Sequence, residues 1–308
     1  MQKETQDPGF GQKYAQGVKR IINKDGSFNV IKRGADSGLK NLFQQLINMN
    51  IVRFILWVCA IYFIANIVFG VMFVMNGVEH LTGRTTDGVL DAFFKSFFFS
   101  IQTFTTVGYG AISPTGVGAN LISSLSALAG SMFFALVTGL IYGRFSKPRS
   151  KLVFSHEAIV APYKEGEALM FRLANRRSNV LMMMNAEVLV VMRDGLASQM
   201  KRSFYRLELE FKTIQFMPLS WTVVHPIDES SPLYGKSREE LIACGMEVLI
   251  LISGFDEVFN QEVHARYSYT AEEMTFGAKF DPAFHVMKNG EVKMDINEIH
   301  NYQKIKST

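Results

Sequence analysis

Two long apolar stretches dominate the first half of the chain. Ile51 to Met75 is broken only by Arg53 and Asn66, and from Phe54 it runs 22 residues. A hydrocarbon core of about 30 Å takes about 20 helical residues to cross, and Arg53, at the end, can snorkel to the headgroups. Ala119 to Ile141 contains no charge and is rich in Gly, Ala and Ser, residues that let helices approach closely. The pattern predicts spans over 51–76 and 119–147. Between them, residues 91–104 (DAFFKSFFFSIQTF) are apolar and helix-compatible, yet such a helix rises only about 21 Å. Both its ends must return to one side, so a re-entrant helix is expected within 77–118.

Ahead of the first span, Leu39, Leu42, Phe43, Leu46 and Ile47 recur at helical spacing among polar residues. They predict an amphipathic helix over 37–50 lying in the membrane interface, preceded by a polar segment, 1–36. After Pro148 the texture changes to short β-rich runs: Lys151–Val160, Ala168–Leu173, Ala186–Val191, Phe204–Phe211, Leu219–His225 and Val248–Ser253. Turn residues punctuate them, so 148–308 reads as a β-sandwich. The expected fold class is thus a two-span α-helical pore module with a re-entrant helix, joined to an all-β domain.

Charge sharpens this division. Of 308 residues, 48% are hydrophobic and the net charge is +4. Residues 1–150 carry 14 Lys/Arg against 7 Asp/Glu, and 151–308 carry 18 against 21. The basic character therefore belongs to the apolar half. Eight basic residues precede the first span, and Arg144, Lys147, Arg149 and Lys151 follow the second. The positive-inside rule puts both termini in the cytoplasm and 76–118 outside. The start of the chain lacks a cleaved signal pattern, and two isolated cysteines, Cys59 and Cys244, fit a reducing compartment without structural disulfides. The expected location is the plasma (inner) membrane, multi-pass.

The re-entrant helix runs directly into Thr106-Val107-Gly108-Tyr109-Gly110. Irregular backbone at membrane depth is tolerated only where it lines a polar path. In a TVGYG segment the carbonyl oxygens replace the hydration shell of K⁺, so the expected ligands are the backbone carbonyls of Thr106, Val107, Gly108 and Tyr109. Gly108 and Gly110 permit the backbone turns this needs, while Val107 and Tyr109 are expected to pack on the pore-helix aromatics. The C-terminal end of the helix dipole favours a cation. Rings built from one loop per chain require a fourfold assembly, a homotetramer.

In the second span, Ser131, Phe134, Thr138 and Tyr142 share one face at three- and four-residue spacing. They are candidates for the cavity wall and for a hydrophobic gate, or else for packing against neighbouring helices. Gly130 and Gly139 are candidate hinges, although Gly139 and Gly143 also make a close-packing GxxxG spacing. Lys32, Arg33, Lys40, Arg144, Lys147, Arg149 and Lys151 form a juxtamembrane basic cluster suited to anionic lipid, or one that only sets topology.

Six segments together carry a resemblance: NKDGSFNVIKRG (23–34), SIQTFTTVGYG (100–110), RFSKPRSKLVFSHEAIV (144–160), FRLANRR (171–177), LSWTVVHPIDESSPLYG (219–235) and HARYSY (264–269). From Asn23 to Phe280 the chain resembles the prokaryotic inward-rectifier potassium channels, the KirBac branch of the Kir family. The resemblance implies a tetramer with a slide helix, two spans per subunit and an immunoglobulin-like cytoplasmic assembly that extends the pore. It implies passive, voltage-independent K⁺ conduction gated by the cytoplasmic domain and membrane lipid, with inhibition by phosphoinositide. Polyamines or Mg²⁺ are the pore blockers it implies. Strongly rectifying relatives carry an acid in the second span where Phe134 stands, and residues 119–143 hold no Asp or Glu, so weak polyamine rectification is expected. Many eukaryotic relatives have Glu where Gln102 stands, and extracellular cysteines that this chain lacks.

An enzyme finds little support. His225, Asp228 and His264 form no metal-ligand spacing, and neither Ser253 nor Cys244 sits in a nucleophile motif. No catalytic residue, cofactor beyond the permeant K⁺, or nucleic acid partner is expected. The remaining alternative is a membrane receptor whose pore-like module does not conduct.

Overall fold

Asn50 separates the two helices that open the apolar half. The computed structural model describes residues 4–11, 20–31, 39–83, 85–146, 150–194 and 201–305. In it, α1 (Leu39–Asn48) ends just before Asn50, whose side chain accepts a hydrogen bond from the Val52 amide and starts α2 (Ile51–Asn76). An asparagine cap satisfies an orphan helix-start donor that the interrupted chain cannot. The amphipathic helix is therefore a separate element from the span. The re-entrant helix, α3 (Val89–Phe104), begins two residues earlier than its apolar pattern, after Gly88, and α4 (Gly116–Phe145) begins three residues before the second uncharged run.

The chain divides into two units, Arg33–Lys147 and the combination of Met1–Lys32 with Pro148–Thr308. In the first, an aromatic core joins the three long helices. Phe73 of α2 meets Phe99 of α3 edge-on with ring centroids 5.0 Å apart, and Phe104 packs on Tyr62 at 5.8 Å and on Phe133 of α4 at 5.7 Å. These rings face inward, while Leu56, Trp57, Phe63, Ile64 and Leu136 face outward and exposed. Beyond α2, Leu81 is buried and pairs with Pro114, Thr82 donates to the Ser113 carbonyl at 2.9 Å, and the Lys95 ammonium donates to the Leu81 carbonyl at 2.9 Å. The segments on either side of α3 are thus stitched together.

In the second unit the strands are β1 (Leu152–Phe154), β2 (Ala158–Tyr163), β3 (Gly166–Asn175), β4 (Leu181–Asp194), β5 (Lys201–Arg206), β6 (Thr213–Met217) and β7 (Ser220–Ile227). They continue, past the short helix α5 (Arg238–Ala243), with β8 (Glu247–Asp256), β9 (Gln261–Thr270), β10 (Met274–Phe276), β11 (Ala278–Phe280), β12 (Phe284–Val286), β13 (Val292–Met294) and β14 (Tyr302–Lys304). One five-stranded sheet has the order β1-β3-β2-β10 with β7 also on β3; the other has β5-β4-β8-β9 with β6 also on β4. Both contribute to one core, including Phe171, Leu173, Trp221 and Val223 from the first and Val188, Val190, Val248 and Ile250 from the second. This is the expected sandwich.

Two runs differ from their apolar pattern. Lys151–Val160 is two strands because Ser155 interrupts the ladder: buried, its hydroxyl takes the Arg172 amide and donates to the Glu157 carbonyl. Phe204–Phe211 stops at Arg206, and β6 takes its place on the same edge of β4. A further strap joins this unit from the N-terminal side. The buried Glu247 carboxylate accepts from the amides of Ile21 (2.8 Å) and Ile22 (3.2 Å), while Arg20 donates to the Ser268 carbonyl (2.6 Å) and pairs with Glu273 (2.9 Å).

Candidate functional site

At the C-terminal end of α3 the backbone turns back on the helix. The Thr105 amide donates to Ile101 (2.9 Å) and the Thr106 amide to Thr103 (3.0 Å). The amides of Val107 (3.0 Å) and Gly108 (3.2 Å) both donate to the single carbonyl of Gln102. The first three residues of the segment therefore spend their N–H groups on the helix end. The segment's carbonyls are left over: those of Thr106, Val107, Gly108 and Tyr109 accept no hydrogen bond from any described residue. The segment is exposed on the single chain, yet it follows a re-entrant helix between two spans, where irregular backbone must line a polar path, so this row of four oxygens is a row of candidate cation ligands.

The dihedral angles explain how the row forms. Thr106 (φ 59°), Gly108 (φ 54°) and Gly110 (φ 79°) lie in the left-handed region, whereas Val107 and Tyr109 do not. In a strand, successive carbonyls point to opposite sides; alternating the hand at every second residue turns them to the same side. Glycine adopts that hand without a Cβ penalty. Thr106 adopts it at a cost of order 1–3 kcal/mol, held by the fixed helix end.

Val107 and Tyr109 are 51% and 77% exposed. Among the described residues Tyr109 has no ring contact with the α3 aromatics, which instead pack among themselves and on α2 and α4. Within one chain Tyr109 thus does not make the expected packing on the pore-helix aromatics, and both side chains are left open.

Of the α4 residues, Ala119, Ser126 and Gly130 are buried, with Ile122, Ala129 and Phe133 on the same side against the aromatic core. Ser131, Phe134, Thr138 and Tyr142 are all exposed and lie about 130° around the helix from that side. They share a face that the chain's own helices do not cover. The helix runs unbroken through Gly130 and Gly139. A Cβ on Gly130 would collide with the Phe104 carbonyl, so this glycine lets α4 lie against the end of α3; at Gly139 a Cβ meets open space. A Cβ on Gly143 would come within 3.3 Å of Ile47 of α1.

The basic cluster divides. Lys32, Arg33, Lys147 and Arg149 lie outside the described residues, as does the side chain of Lys40. Lys151 is exposed. The Arg144 guanidinium donates to the carbonyls of Leu46 and Met49 (2.5 Å to the latter), at the end of α1, and stacks over the Phe54 ring at 4.6 Å. Helix-end carbonyls lack intrahelical donors, so Arg144 caps α1.

One residue that supports the site escaped the motif reading. Asn66 is fully buried in mid-span, where its amide donates to the Tyr62 carbonyl (2.9 Å) and its oxygen accepts from Ser100 of α3 (2.9 Å). Its signal was present as the one polar interruption in the uncharged part of the first span. His225 has no catalytic geometry: its Nδ1–H donates to the Glu208 carbonyl (2.6 Å), and Nε2 accepts from the Ser231 hydroxyl (2.8 Å). No group of three or more metal-ligating side chains occurs among the described residues.

Comparison with known proteins adds an independent line. Residues 152–308 match the family described as inward rectifier potassium channel C-terminal domain, and residues 51–147 match the family described as ion channel. The chain is 33% identical over 286 residues to the inward rectifier potassium channel Kirbac3.1 of Paramagnetospirillum magnetotacticum, covering 91% of this chain and 95% of that protein. It is 25% identical to inward rectifier potassium channel 18 of Homo sapiens, covering 94% of this chain and 72% of the relative. With ATP-sensitive inward rectifier potassium channel 12 of Bos taurus the identity is 26%, covering 94% and 73%.

Proposed function

The chain belongs to the inward rectifier potassium channel family and is a potassium channel of the membrane, and from that premise we propose that K⁺ passes along the carbonyls of Thr106, Val107, Gly108 and Tyr109. The observation that carries this reading is the row of four carbonyls without donors, set on one side by the alternating hand of Thr106, Gly108 and Gly110. Four copies around an axis turn the row into rings, and neighbouring copies cover the exposed Val107 and Tyr109.

In this scheme Ser131, Phe134, Thr138 and Tyr142 face the axis below the rings, with Phe134 and Tyr142 narrow enough to gate by dewetting. Gly139, whose Cα faces open space, is the better-placed hinge of the two glycines. An apolar Phe134 gives polyamines or Mg²⁺ little to hold, so rectification is weak. The sandwich lies in the cytoplasm with both termini. Lys151, together with Lys32, Arg33, Lys40, Lys147 and Arg149, meets anionic lipid, and added phosphoinositide inhibits.

Ion flux from proteoliposomes tests the scheme. K⁺ flux well above Na⁺ flux is expected, abolished by Gly108→Ala or Gly110→Ala and lowered by phosphoinositide. Absence of K⁺ flux under every lipid condition would point to a non-conducting receptor, and flux raised or unchanged by phosphoinositide would refute the assigned sign.

A further inference from the structure

We propose that Asn66 is a positioning residue for the ion path, acting through its hydrogen bond to Ser100. The inference rests on the assignment of 106–110 as the selectivity filter. A carboxamide in the middle of an apolar span is costly unless it is paired. Asn66 pairs twice: inward to its own helix at the Tyr62 carbonyl, and across to the Ser100 hydroxyl, both at 2.9 Å. Both side chains are fully buried, so no solvent competes for either bond.

Ser100 lies two residues before Gln102, in the same last stretch of α3. The Gln102 carbonyl gathers the amides of Val107 and Gly108, two consecutive residues of the filter. The sequence of contacts is continuous: α2 backbone, Asn66 amide, Ser100 hydroxyl, the rigid end of α3, the Gln102 carbonyl, the filter. Apolar packing holds α3 laterally but tolerates sliding and rotation, because dispersion contacts are not directional. A hydrogen bond has a preferred length and angle. Ser100 thus fixes the height and rotation of the helix end, and with them the place where the filter amides must dock. Ser96, one turn earlier on α3, is also fully buried, yet its hydroxyl finds no partner among the described residues. The specific polar contact is at Ser100, next to the filter.

The test is the Na⁺-to-K⁺ permeability ratio of the full-length channel in planar bilayers under bi-ionic conditions, with the melting temperature of the assembled protein measured alongside. Intramembrane side-chain hydrogen bonds change an equilibrium by about three- to tenfold. Asn66→Leu and Ser100→Ala should each raise the ratio by about that factor, the double variant should exceed neither, and Ser100→Thr, which keeps the hydroxyl, should match wild type. Purely cohesive packing would lower the melting temperature and leave the ratio unchanged; that result, or effects that multiply in the double variant, overturns the proposal. Ser100→Ala removes a single oxygen and carries the test should Asn66→Leu fail to assemble. Wild-type channels that select K⁺ beside unaltered variants defeat this proposal alone, whereas wild-type channels without selectivity defeat the filter assignment and this proposal together.

Discussion

A methyl group at position 130 would occupy the space of the Phe104 carbonyl, and a backbone oxygen at the end of a packed helix cannot step aside. Overpacking of this kind costs about 1–3 kcal/mol. Gly130→Ala is therefore expected to lower both the melting temperature and the K⁺ flux, because the displaced residue is two positions before Thr106. Gly139→Ala meets nothing within 4 Å and should leave the melting temperature unchanged; differential scanning fluorimetry on the two variants makes the comparison. In the sequence these glycines are indistinguishable, since a helical glycine marks either a bend or a close approach, and only the partner decides. The filter was legible for the opposite reason. Its function resides in backbone dihedrals that glycine spacing encodes locally, and Thr106, Gly108 and Gly110 take up the alternating hand that the motif implies.

Helix α1 shows what composition leaves undetermined about an element. Its existence was readable from the recurrence of Leu42, Phe43, Leu46 and Ile47, because amphipathic periodicity is a property of the segment itself. Its fastening was not. Arg144, 95 to 98 positions away from the carbonyls it caps, reads in the sequence as one more cation beside a membrane. A guanidinium suits this position because its fork can serve two carbonyls at once while its face rests on Phe54. Arg144→Gln is accordingly expected to change resting flux to the same degree in neutral and anionic liposomes, whereas Lys151→Gln should change it only in anionic ones. Flux assays in the two lipid compositions separate capping from lipid attraction. The strand reading has the same character: β-rich runs were visible, but the break at Ser155 depends on Arg172, which is distant in sequence.

Across the whole molecule, acid is expected to loosen the sandwich before it affects the helices. His225 and His300 are both held below the ordinary imidazole value of 6.5, chiefly by burial, with the neighbouring His156 adding to the effect at His300. The unfolded chain therefore binds more protons than the folded one as pH falls past that value, so stability is greatest above it and declines below. Melting of the full-length protein should shift downward between about pH 7.5 and 5.5, and His300→Gln should flatten part of that slope.

The free carbonyls of the filter have a last consequence, for assembly. Four unpaired oxygens per chain are too expensive to leave bare within a membrane, so the permeating ion is also a ligand of the folded state. A ligand that binds only the assembled form stabilises it in proportion to the logarithm of its concentration. The quaternary structure should consequently have an electrolyte requirement: its melting temperature rises with added KCl and falls when NaCl replaces it at equal ionic strength. The cargo is, in this sense, part of the scaffold through which it travels.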